Sequence, residues 1–432
     1  MRPLASVPAL VLLLALALPA PAEPPDGPSV RGNVALSWYH FDDLSDDGLD
    51  YDRPVLRLKM RADGLLGGGY DLSLRLRSRY DSRARAFGDD VPATEWRNRL
   101  YEASFSFNDS RAPLNFSVGR LASDALRSHG PVDGVLVRHN ASERWRWGAF
   151  AGSRPDWESS EPSADTRVYG LYASYAGDPL AADRVDVALA AVGEYHGTVI
   201  SRESLSQSGG YRRGRRWSVH ESLVLDVNRG WRSDAAGERV SISAVNLNGR
   251  IAWTDGIATT LGYDRRTNYR TYETRSLAEG LFDDAFRQGY RAAVSARLGK
   301  RVTLHGSLGF REKESDRGLT TRYSAALRGA NVPARGVTVR ARVAGYTNDL
   351  SNGFTPSVTL GRVFGRGHSM HVTYGAYYYD LALSHGSRLN QWTRVEAQVE
   401  LPARFYLSTH YEYDWGDDAE GQRIFAEVGH RF

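Results

Sequence analysis

The sequence predicts an all-β fold, a single transmembrane antiparallel β-barrel of about 22 strands within a range of roughly 18 to 22. Through most of the chain, segments of about ten residues alternate apolar and polar side chains, which is the period of a β-strand. Clusters of Gly, Asp, Asn, Ser and Pro separate these segments, and repeated short strands between turns indicate a sandwich or a barrel. The polar faces carry many charges, so they belong in water.

The segment from Thr393 to Leu401 illustrates why we expect a membrane barrel. Val395 and Val399 take one face of the predicted strand, and Arg394 and Glu396 take the other. A soluble sandwich would turn its apolar faces inward, and a soluble barrel of this size lacks the apolar side chains to fill its interior. A transmembrane barrel presents its apolar face to lipid and encloses a charged, aqueous lumen. The alternation therefore favours the transmembrane arrangement.

The N-terminal segment has the features of a secretory signal peptide. Arg2 supplies the positive charge, Ala9 to Leu18 is an apolar run, and Ala20-Pro21-Ala22 resembles a cleavage site. A membrane-spanning helix would need about 20 apolar residues, more than this run provides. The predicted organisation is a signal peptide (1–22), a short N-terminal segment (23–29) and the barrel (30–432).

The lengths of the predicted turns indicate how the barrel is oriented. Short connections are expected on the periplasmic side: Thr254 to Gly256, Gly299 to Arg301, Arg366-Gly367 and Pro402-Ala403. Longer polar connections are expected outside the cell: Asp42 to Asp50, Asp81 to Glu95, Pro155 to Asp165, Thr271 to Gln288 and Asp417 to Gln422. An even strand count places both termini in the periplasm. The uncertain region is Gly197 to Gly214, where one hairpin is alternatively a loop.

Aromatic residues are concentrated near the predicted strand ends, where a membrane barrel has its interfacial girdles. These residues are Trp38, Trp96, Trp145, Trp217, Trp253, Trp392, Tyr413 and Trp415. The alternative interpretation is that they pack on ordinary sheet surfaces.

The last segment, Ile424 to Phe432, resembles the C-terminal strand of bacterial outer-membrane proteins. Val428 and Ala426 lie in phase with the terminal Phe432, whereas His430 stands where that family usually has an apolar or aromatic residue. The resemblance implies an outer-membrane location, contact with its lipid, and recognition of Phe432 as an assembly signal by the barrel-assembly machinery. A second stretch, from Val118-Gly119-Arg120 through Asp133-Gly134-Val135, resembles a strand-loop-strand step of porins and polysaccharide-export barrels.

The predicted lumen carries more basic than acidic side chains, and almost all of the basic ones are arginine. The candidate anion-binding residues occupy the polar faces of three strands: Arg57, Lys59, Arg61, Arg75, Arg77, Arg79, Arg340 and Arg342. Basic residues lining a pore favour anions. We therefore expect a channel for passive passage or export of anionic solutes or an anionic polysaccharide. The alternative for each arginine is pairing with acids across strands, which keeps the interior hydrated.

Two other functions remain open. The barrel could be a structural sheath that holds a multihaem cytochrome across the membrane, because a barrel this wide usually encloses something. Besides such a bound partner, the candidates for narrowing the barrel are a threaded polymer and a short helix within Ser276 to Gln288, where Ser276 and Glu279 have capping-box spacing. An enzyme has little support, because His220 and Ser222 share a strand face that Glu221 does not.

The composition predicts no cofactor, no metal site and no nucleic-acid partner. The chain has no cysteine, which excludes thiolate metal sites and covalent haem attachment within it. Its formal charge of +4 is too small for a nucleic-acid-binding surface. The acidic run Asp42-Asp43, Asp46-Asp47, Asp50 and Asp52 could offer oxygen ligands to Ca²⁺, but it lacks the spacing of a calcium loop, so solvated surface charge is the simpler interpretation.

Overall fold

The computed structural model describes residues 27–45, 48–86, 91–122, 130–156, 159–277, 287–313, 318–365, 367–382, 386–418 and 420–432. The predicted signal peptide (1–22) lies outside these residues. So do 278–286, which hold most of the predicted helix, the pair Asp46-Asp47 of the acidic run, and Arg366 of one predicted turn.

Strands make up nearly all of the described chain, as the alternation predicts. They are β1 (Ser29–Asp43), β2 (Tyr51–Leu65), β3 (Tyr70–Arg83), β4 (Thr94–Phe107), β5 (Leu114–Leu121), β6 (Val132–Asn140), β7 (Trp145–Ser153), β8 (Thr166–Ala176), β9 (Asp183–His196), β10 (Val199–Arg213), β11 (Trp217–Val227), β12 (Val240–Ala252), β13 (Ile257–Arg266), β14 (Arg287–Leu298), β15 (Val302–Lys313), β16 (Thr320–Ala330), β17 (Val337–Thr347), β18 (Ser351–Phe364), β19 (His368–Leu381), β20 (Ser387–Glu400), β21 (Phe405–Gly416) and β22 (Gly421–Arg431). A short helix, α1 (Trp231–Ala236), joins β11 to β12, and a 3-10 turn (Pro402–Arg404) joins β20 to β21.

The strands form one closed antiparallel barrel of 22 strands. Each strand pairs with the next, and β22 returns to β1, where the Gly32 N–H donates to the Phe432 carbonyl at 2.8 Å and the Phe432 N–H donates to the Gly32 carbonyl at 3.1 Å. Closure leaves no exposed sheet edge in lipid. The predicted strand number is confirmed, and the uncertain region contains the strand Val199–Arg213 rather than a loop.

The outer face of the barrel is apolar because successive side chains of each strand point to opposite faces. Large exposed apolar side chains occupy it all around the sheet, among them Leu36, Leu72, Val135, Leu171, Leu189, Leu205, Leu247, Leu261, Leu304, Leu327, Val343, Leu360 and Val428. No helix of the described residues is long and apolar enough to cross a membrane. The exposed apolar side chains of the strands form the surface that faces lipid.

The first described residues and Phe432 lie at one end of the barrel, since the strand number is even and β1 pairs with β22. We call this the terminal end and the opposite one the loop end. The short turns predicted from the sequence fall at the terminal end, and the long connections fall at the loop end. An exception is the two-residue turn Gly197–Thr198 at the loop end.

One aromatic residue predicted to lie in the girdle, Trp392, lies on the inner face of the barrel instead. Trp392 pairs across the sheet with Gly375 and Asp414, on the same face as the lumen arginines. The neighbouring Thr393 takes the outer face opposite Tyr374. Strand position alone suggested the girdle, but the two-residue period places the Trp392 indole inside the barrel.

An arginine covers the place where the pairing between β4 and β5 stops. The last pair is Ala103 with Arg120, so the part of β4 that continues toward the loop end has no β5 partner. There the buried Arg120 donates to the Leu100 carbonyl at 2.8 Å and to the Ser160 carbonyl at 2.7 Å. Both carboxylate oxygens of Asp133 accept from it at 2.6 Å. Arg120 thus satisfies a backbone group that the ladder leaves open and ties the β7–β8 loop to it.

Part of the inner face is dry, which the sequence did not predict. Leu121, Val132, Leu136, Phe150, Val168 and Val192 form a buried apolar cluster on the inner face of β5, β6, β7, β8 and β9. These residues are at most 5% exposed, so water does not reach this part of the wall. The aqueous part of the lumen is therefore displaced toward the other strands.

Deletion of Phe432 is expected to lower the yield of folded barrel by about threefold or more, because it removes two of the backbone hydrogen bonds that close the sheet. The ring of Phe432 also covers Gly32, where an added Cβ would lie 2.7 Å from it. The measurement is the fraction of protein that resists unfolding in detergent after extraction from the outer membrane. His430→Phe is the control that keeps the aromatic contacts with Phe405 and Phe432. An unchanged yield for the deletion would contradict this role.

Candidate functional site

The largest concentration of charge lies on the inner face of β2, β3 and β4. We call this surface the basic wall; it consists of Arg53, Arg57, Lys59, Arg61, Arg75, Arg77, Arg79, Arg83, Arg97 and Arg99. The register sets Arg57 opposite Arg77 and Arg77 opposite Arg99, with Lys59 opposite Arg75. Residues directly opposite in an antiparallel pair share a face and stand about 5 Å apart at Cβ. Like charges are therefore close neighbours across three strands.

Acidic side chains neutralise the two ends of the basic wall. Toward the loop end, Asp81 is fully buried; one of its carboxylate oxygens accepts a hydrogen bond from Arg53 at 2.7 Å, and the other forms an ion pair with Arg79 at 2.8 Å. Toward the terminal end, Arg61 lies 3.0 Å from Asp71. Charge-assisted pairs of this kind hold both partners in place. The predicted residues Arg61 and Arg79 are thus tied up in ion pairs.

In the middle of the basic wall, Arg57 pairs with Glu427 of β22 at 2.9 Å, but the cations around it lack such neutralisation. In the described part of the chain, Lys59, Arg75, Arg77 and Arg99 have no carboxylate within 4.0 Å. The β4 register shifts between Glu102 and Leu100, which leaves Tyr101 without a cross-strand partner. The guanidinium groups of Arg75 and Arg77 lie 5.3 Å and 5.7 Å from the centre of its ring. A bulge re-aims side chains in this way, and the ring face offers a weak substitute for an anion.

A second basic surface surrounds a cavity of about 810 Å³ in the inner wall of β15 to β20, which we call the arginine cavity. Arg340 and Arg342 of β17 line it together with Arg328, which stands directly opposite Arg340. Within the described residues none of these three has a carboxylate within 4.0 Å. The predicted residues Arg340 and Arg342 therefore belong to a site that is separate from the basic wall, with the strands β21, β22 and β1 between the two surfaces.

The floor of the arginine cavity is made of small and hydroxyl-bearing side chains. Thr359 stands opposite Arg340, and its hydroxyl lies 2.9 Å from that of Thr373. Ser357 stands opposite Arg342, and Gly375 follows on β19. A Cβ on Gly375 would lie 2.5 Å from the Trp392 ring, so the absence of a side chain lets the indole lie against the sheet. The cavity thus combines cations, hydroxyls, one aromatic surface and the carboxylate of Glu396. Arg394 lies 4.0 Å from that carboxylate, and its guanidinium carbon lies 5.2 Å from the centre of the Trp392 ring.

A buried ion cluster fixes two connections of the loop end to the inner wall; we call it the loop anchor. Asp226 of β11 accepts from Arg202 of β10 at 2.8 Å and from Arg232 of α1 at 3.1 Å. The three side chains are 1%, 2% and 5% exposed, respectively. Tyr269, in the β13–β14 connection, lies with its ring centre 3.4 Å from the Arg202 guanidinium carbon. Burial lowers the pKa of Arg232 from its ordinary value, and the Asp226 carboxylate opposes that effect.

The β13–β14 connection makes further contacts with this wall. Glu273 accepts from the Thr166 hydroxyl at 2.5 Å, and the Tyr272 N–H donates to the Ser201 hydroxyl at 3.1 Å. The Tyr272 ring stacks on His196 at 4.2 Å. Burial alone would raise the pKa of Glu273, but the hydrogen bonds it accepts bring that pKa below its usual value. The described part of this connection therefore lies along the inside of β8 to β11.

The acidic run near the loop end uses its carboxylates on protein donors. Asp43 accepts from the N–H groups of Ser45 at 3.1 Å and Leu49 at 2.9 Å, and Asp50 accepts from the Asp43 N–H at 3.0 Å. Asp52 accepts from Trp38 at 3.0 Å. Among the described residues no group of three or more His, Asp or Glu side chains is placed to hold a metal ion.

Several members of the basic wall and the loop anchor were not singled out from the sequence. Arg53, Arg83, Arg97 and Arg99 have the same two-residue period as their predicted neighbours, so that period could have found them.

Glu221 pairs across the sheet with Leu247 on the outer face, away from His220 and Ser222. No sequence signal pointed to the loop anchor, because its members come from separate connections.

No protein-family model and no curated protein matches the sequence. Solved structures with a similar chain course include OpdQ of Pseudomonas aeruginosa, with a TM-score of 0.46 and 7% identity over 94% of this chain and 99% of that one. The translocation pore of the P pilus usher PapC has a TM-score of 0.49 and 11% identity over 93% and 99% of the two chains. A BenF-like porin from Pseudomonas fluorescens Pf-5 has a TM-score of 0.47 and 10% identity over 94% and 99%.

The fold assignment rests on the strand pairing and on the outer face. A sheet of 22 strands that closes on itself, apolar outside and charged inside, is built to cross a membrane with strands. The chain is a porin-like antiparallel β-barrel of the outer-membrane type.

Proposed function

We propose that this barrel is an outer-membrane channel for the passive passage or export of anionic solutes, an anionic polysaccharide included. The observation that carries the proposal is the set of lumen cations with no carboxylate within reach among the described residues. Lys59, Arg75, Arg77 and Arg99 form one group on the basic wall, and Arg328, Arg340 and Arg342 form the other.

The electrostatics of these groups support a site for mobile anions. Arg77 stands opposite Arg99 and Arg328 stands opposite Arg340, and like charges directly opposite destabilise a sheet. Their lumen position is required, because placing an Arg or Lys against lipid costs about 2 to 4 kcal/mol near the midplane. Anions from solution relieve the repulsion, so the lumen should concentrate them.

The position of the dry cluster and of the loop anchor supports a passage along both basic surfaces. The apolar cluster occupies the inner face of β5 to β9, and the loop anchor occupies that of β10 and β11. The basic wall and the arginine cavity lie on the remaining part of the circumference. A solute in the aqueous part of the lumen would therefore pass near both.

We expect the purified barrel in a planar bilayer to prefer anions at low salt and to lose most of that preference at high salt. The physical reason is screening, since the Debye length falls from about 10 Å at 0.1 M to about 3 Å at 1 M. The measurement is the reversal potential in a potassium chloride gradient, repeated at both mean concentrations.

The other outcomes decide against the proposal. A pore with no ion preference at 0.1 M salt, or one that favours cations, would contradict anion passage. If the barrel conducts no current by itself, that result would favour the structural sheath around a multihaem cytochrome. The next experiment would then test for a haem protein that co-purifies with the barrel.

A further inference from the structure

We infer that the arginine cavity binds an acidic pyranose, a sugar ring that carries a carboxylate. The inference rests on the proposed function and names the class of solute. It follows from three features of one cavity of about 810 Å³: a pair of arginines on one side, a tryptophan on the other, and hydroxyl groups between them.

The arginines supply the recognition of the carboxylate. Arg340 and Arg342 are two residues apart on the same face of β17, about 7 Å along the strand. Both are exposed to the cavity, and neither has a carboxylate of the described chain within 4.0 Å. Guanidinium groups bind carboxylates through two parallel hydrogen bonds, which a flexible lysine does not match. A carboxylate that enters the cavity thus finds guanidinium donors without having to displace an acidic side chain.

Trp392 supplies an apolar surface for a ring. It lies three strands from Arg342, in the row that runs through Ser357 and Gly375, so the backbones are about 14 Å apart. Both side chains point into the lumen, and the Trp392 ring lies over Gly375, one strand nearer to Arg342. Most of the other tryptophans face outward, as Trp38, Trp145 and Trp253 do. Trp392 points into the lumen and therefore lacks the favourable contact with the membrane interface that an outward tryptophan makes. An amphipathic indole at a water-filled wall suits a ligand with one apolar face and one polar edge.

The floor between these side chains favours a hydroxylated ligand. Ser357, Thr359 and Thr373 each present a hydroxyl group that donates and accepts. Glycines at 361 and 375 let the His371 and Trp392 rings lie against the sheet, which keeps the centre of the cavity open. A pocket lined by small groups with a few placed polar atoms binds a ligand of matching shape. A simple inorganic anion would use the arginines but leave the hydroxyls and the indole without a contact.

The experiment is block of the ion current by added solutes in a planar bilayer. Trigalacturonate is the probe; its fully methyl-esterified form keeps the rings without the charges, acetate keeps the charge without a ring, and benzoate keeps both without hydroxyls. We expect half-block by trigalacturonate at a concentration at least about tenfold lower than for any of the three controls. Galacturonate itself tests whether a single ring suffices for block. If it blocks more weakly than the trimer, the preferred ligand is a chain of acidic sugars rather than a free sugar acid.

Two variants separate this inference from the proposed function. Trp392→Leu should raise the half-block concentration of trigalacturonate at least about fivefold. Trp415→Leu, on the outer face of the adjacent strand, is its control and should change neither the half-block concentration nor the anion preference. Arg340→Gln with Arg342→Gln should weaken block by at least about tenfold. Equal block by benzoate, or an unchanged Trp392→Leu channel, would overturn the acidic-sugar inference while the anion preference stands; loss of that preference in the wild-type channel would overturn the proposed function.

Discussion

Replacement of Lys59, Arg75 and Arg77 with Gln is expected to lower the anion-to-cation permeability ratio about threefold or more and to shift the reversal potential toward that of cations. These three side chains lie on the basic wall and have no carboxylate within 4.0 Å among the described residues. Their removal therefore takes positive charge from the passage without leaving an acid unpaired. Glutamine keeps their length and polarity, so the barrel should still fold.

The matched control removes the same charge outside the lumen. Arg213, Arg215 and Arg216 are exposed at the terminal end, in and beside the turn between β10 and β11. The triple glutamine variant at these positions should keep the wild-type reversal potential. If both triple variants shift it equally, net charge rather than the basic wall controls selectivity. If neither shifts it, the basic wall does not act on permeating ions.

Asp226→Asn is expected to release the loop anchor from the inner wall, at a cost of about 3 to 5 kcal/mol to its docking. The carboxylate of Asp226 is 1% exposed and neutralises both Arg202 and Arg232. Asparagine has a similar shape but leaves two guanidinium groups buried without a counter-charge. We expect cleavage by an external protease within 267–277, and hydrogen exchange at Tyr272, to become much faster.

Asp63→Asn is the matched control for the loop anchor. Asp63 also has two arginine partners, Arg31 at 3.0 Å and Arg61, but the two arginine side chains are 67% and 45% exposed. Exposed pairs contribute about 0 to 1 kcal/mol, so this variant should keep its protease resistance. Equal protection of the wild type and Asp226→Asn would contradict an anchoring role for the buried cluster.

The two faces of the barrel followed from local sequence. The two-residue period of a strand sets which side chains share a face, whatever lies opposite. It placed Arg57 to Arg61, Arg75 to Arg79, and Arg340 and Arg342 on one face of their strands, and the register places those faces inside. The same period, applied to β20, puts Trp392 beside Arg394 in the lumen, against the girdle position suggested by its place near a strand end.

The pairing of charges could not be read from the chain. The Arg79–Asp81 pair lies within β3, but the position of the Tyr101 ring beside Arg75 and Arg77 depends on a single bulge in β4, which shifts the register by one residue. Such a shift changes which side chains stand opposite each other without altering the alternation on either strand. The neutralised and the bare parts of the basic wall are for this reason a property of the assembled sheet.

The sequence by itself predicted about 22 strands, the closed barrel class and the polarity of each face, because these depend on short segments of about ten residues. Only the tertiary structure decided which part of the lumen is dry, how the loop end is anchored and where the arginine cavity lies. The loop anchor joins Arg202, Asp226, Arg232 and Tyr269 from two strands and two connections. Burial of that cluster, like burial of the apolar cluster on β5 to β9, arises when separate segments meet in space, and no local pattern records that meeting.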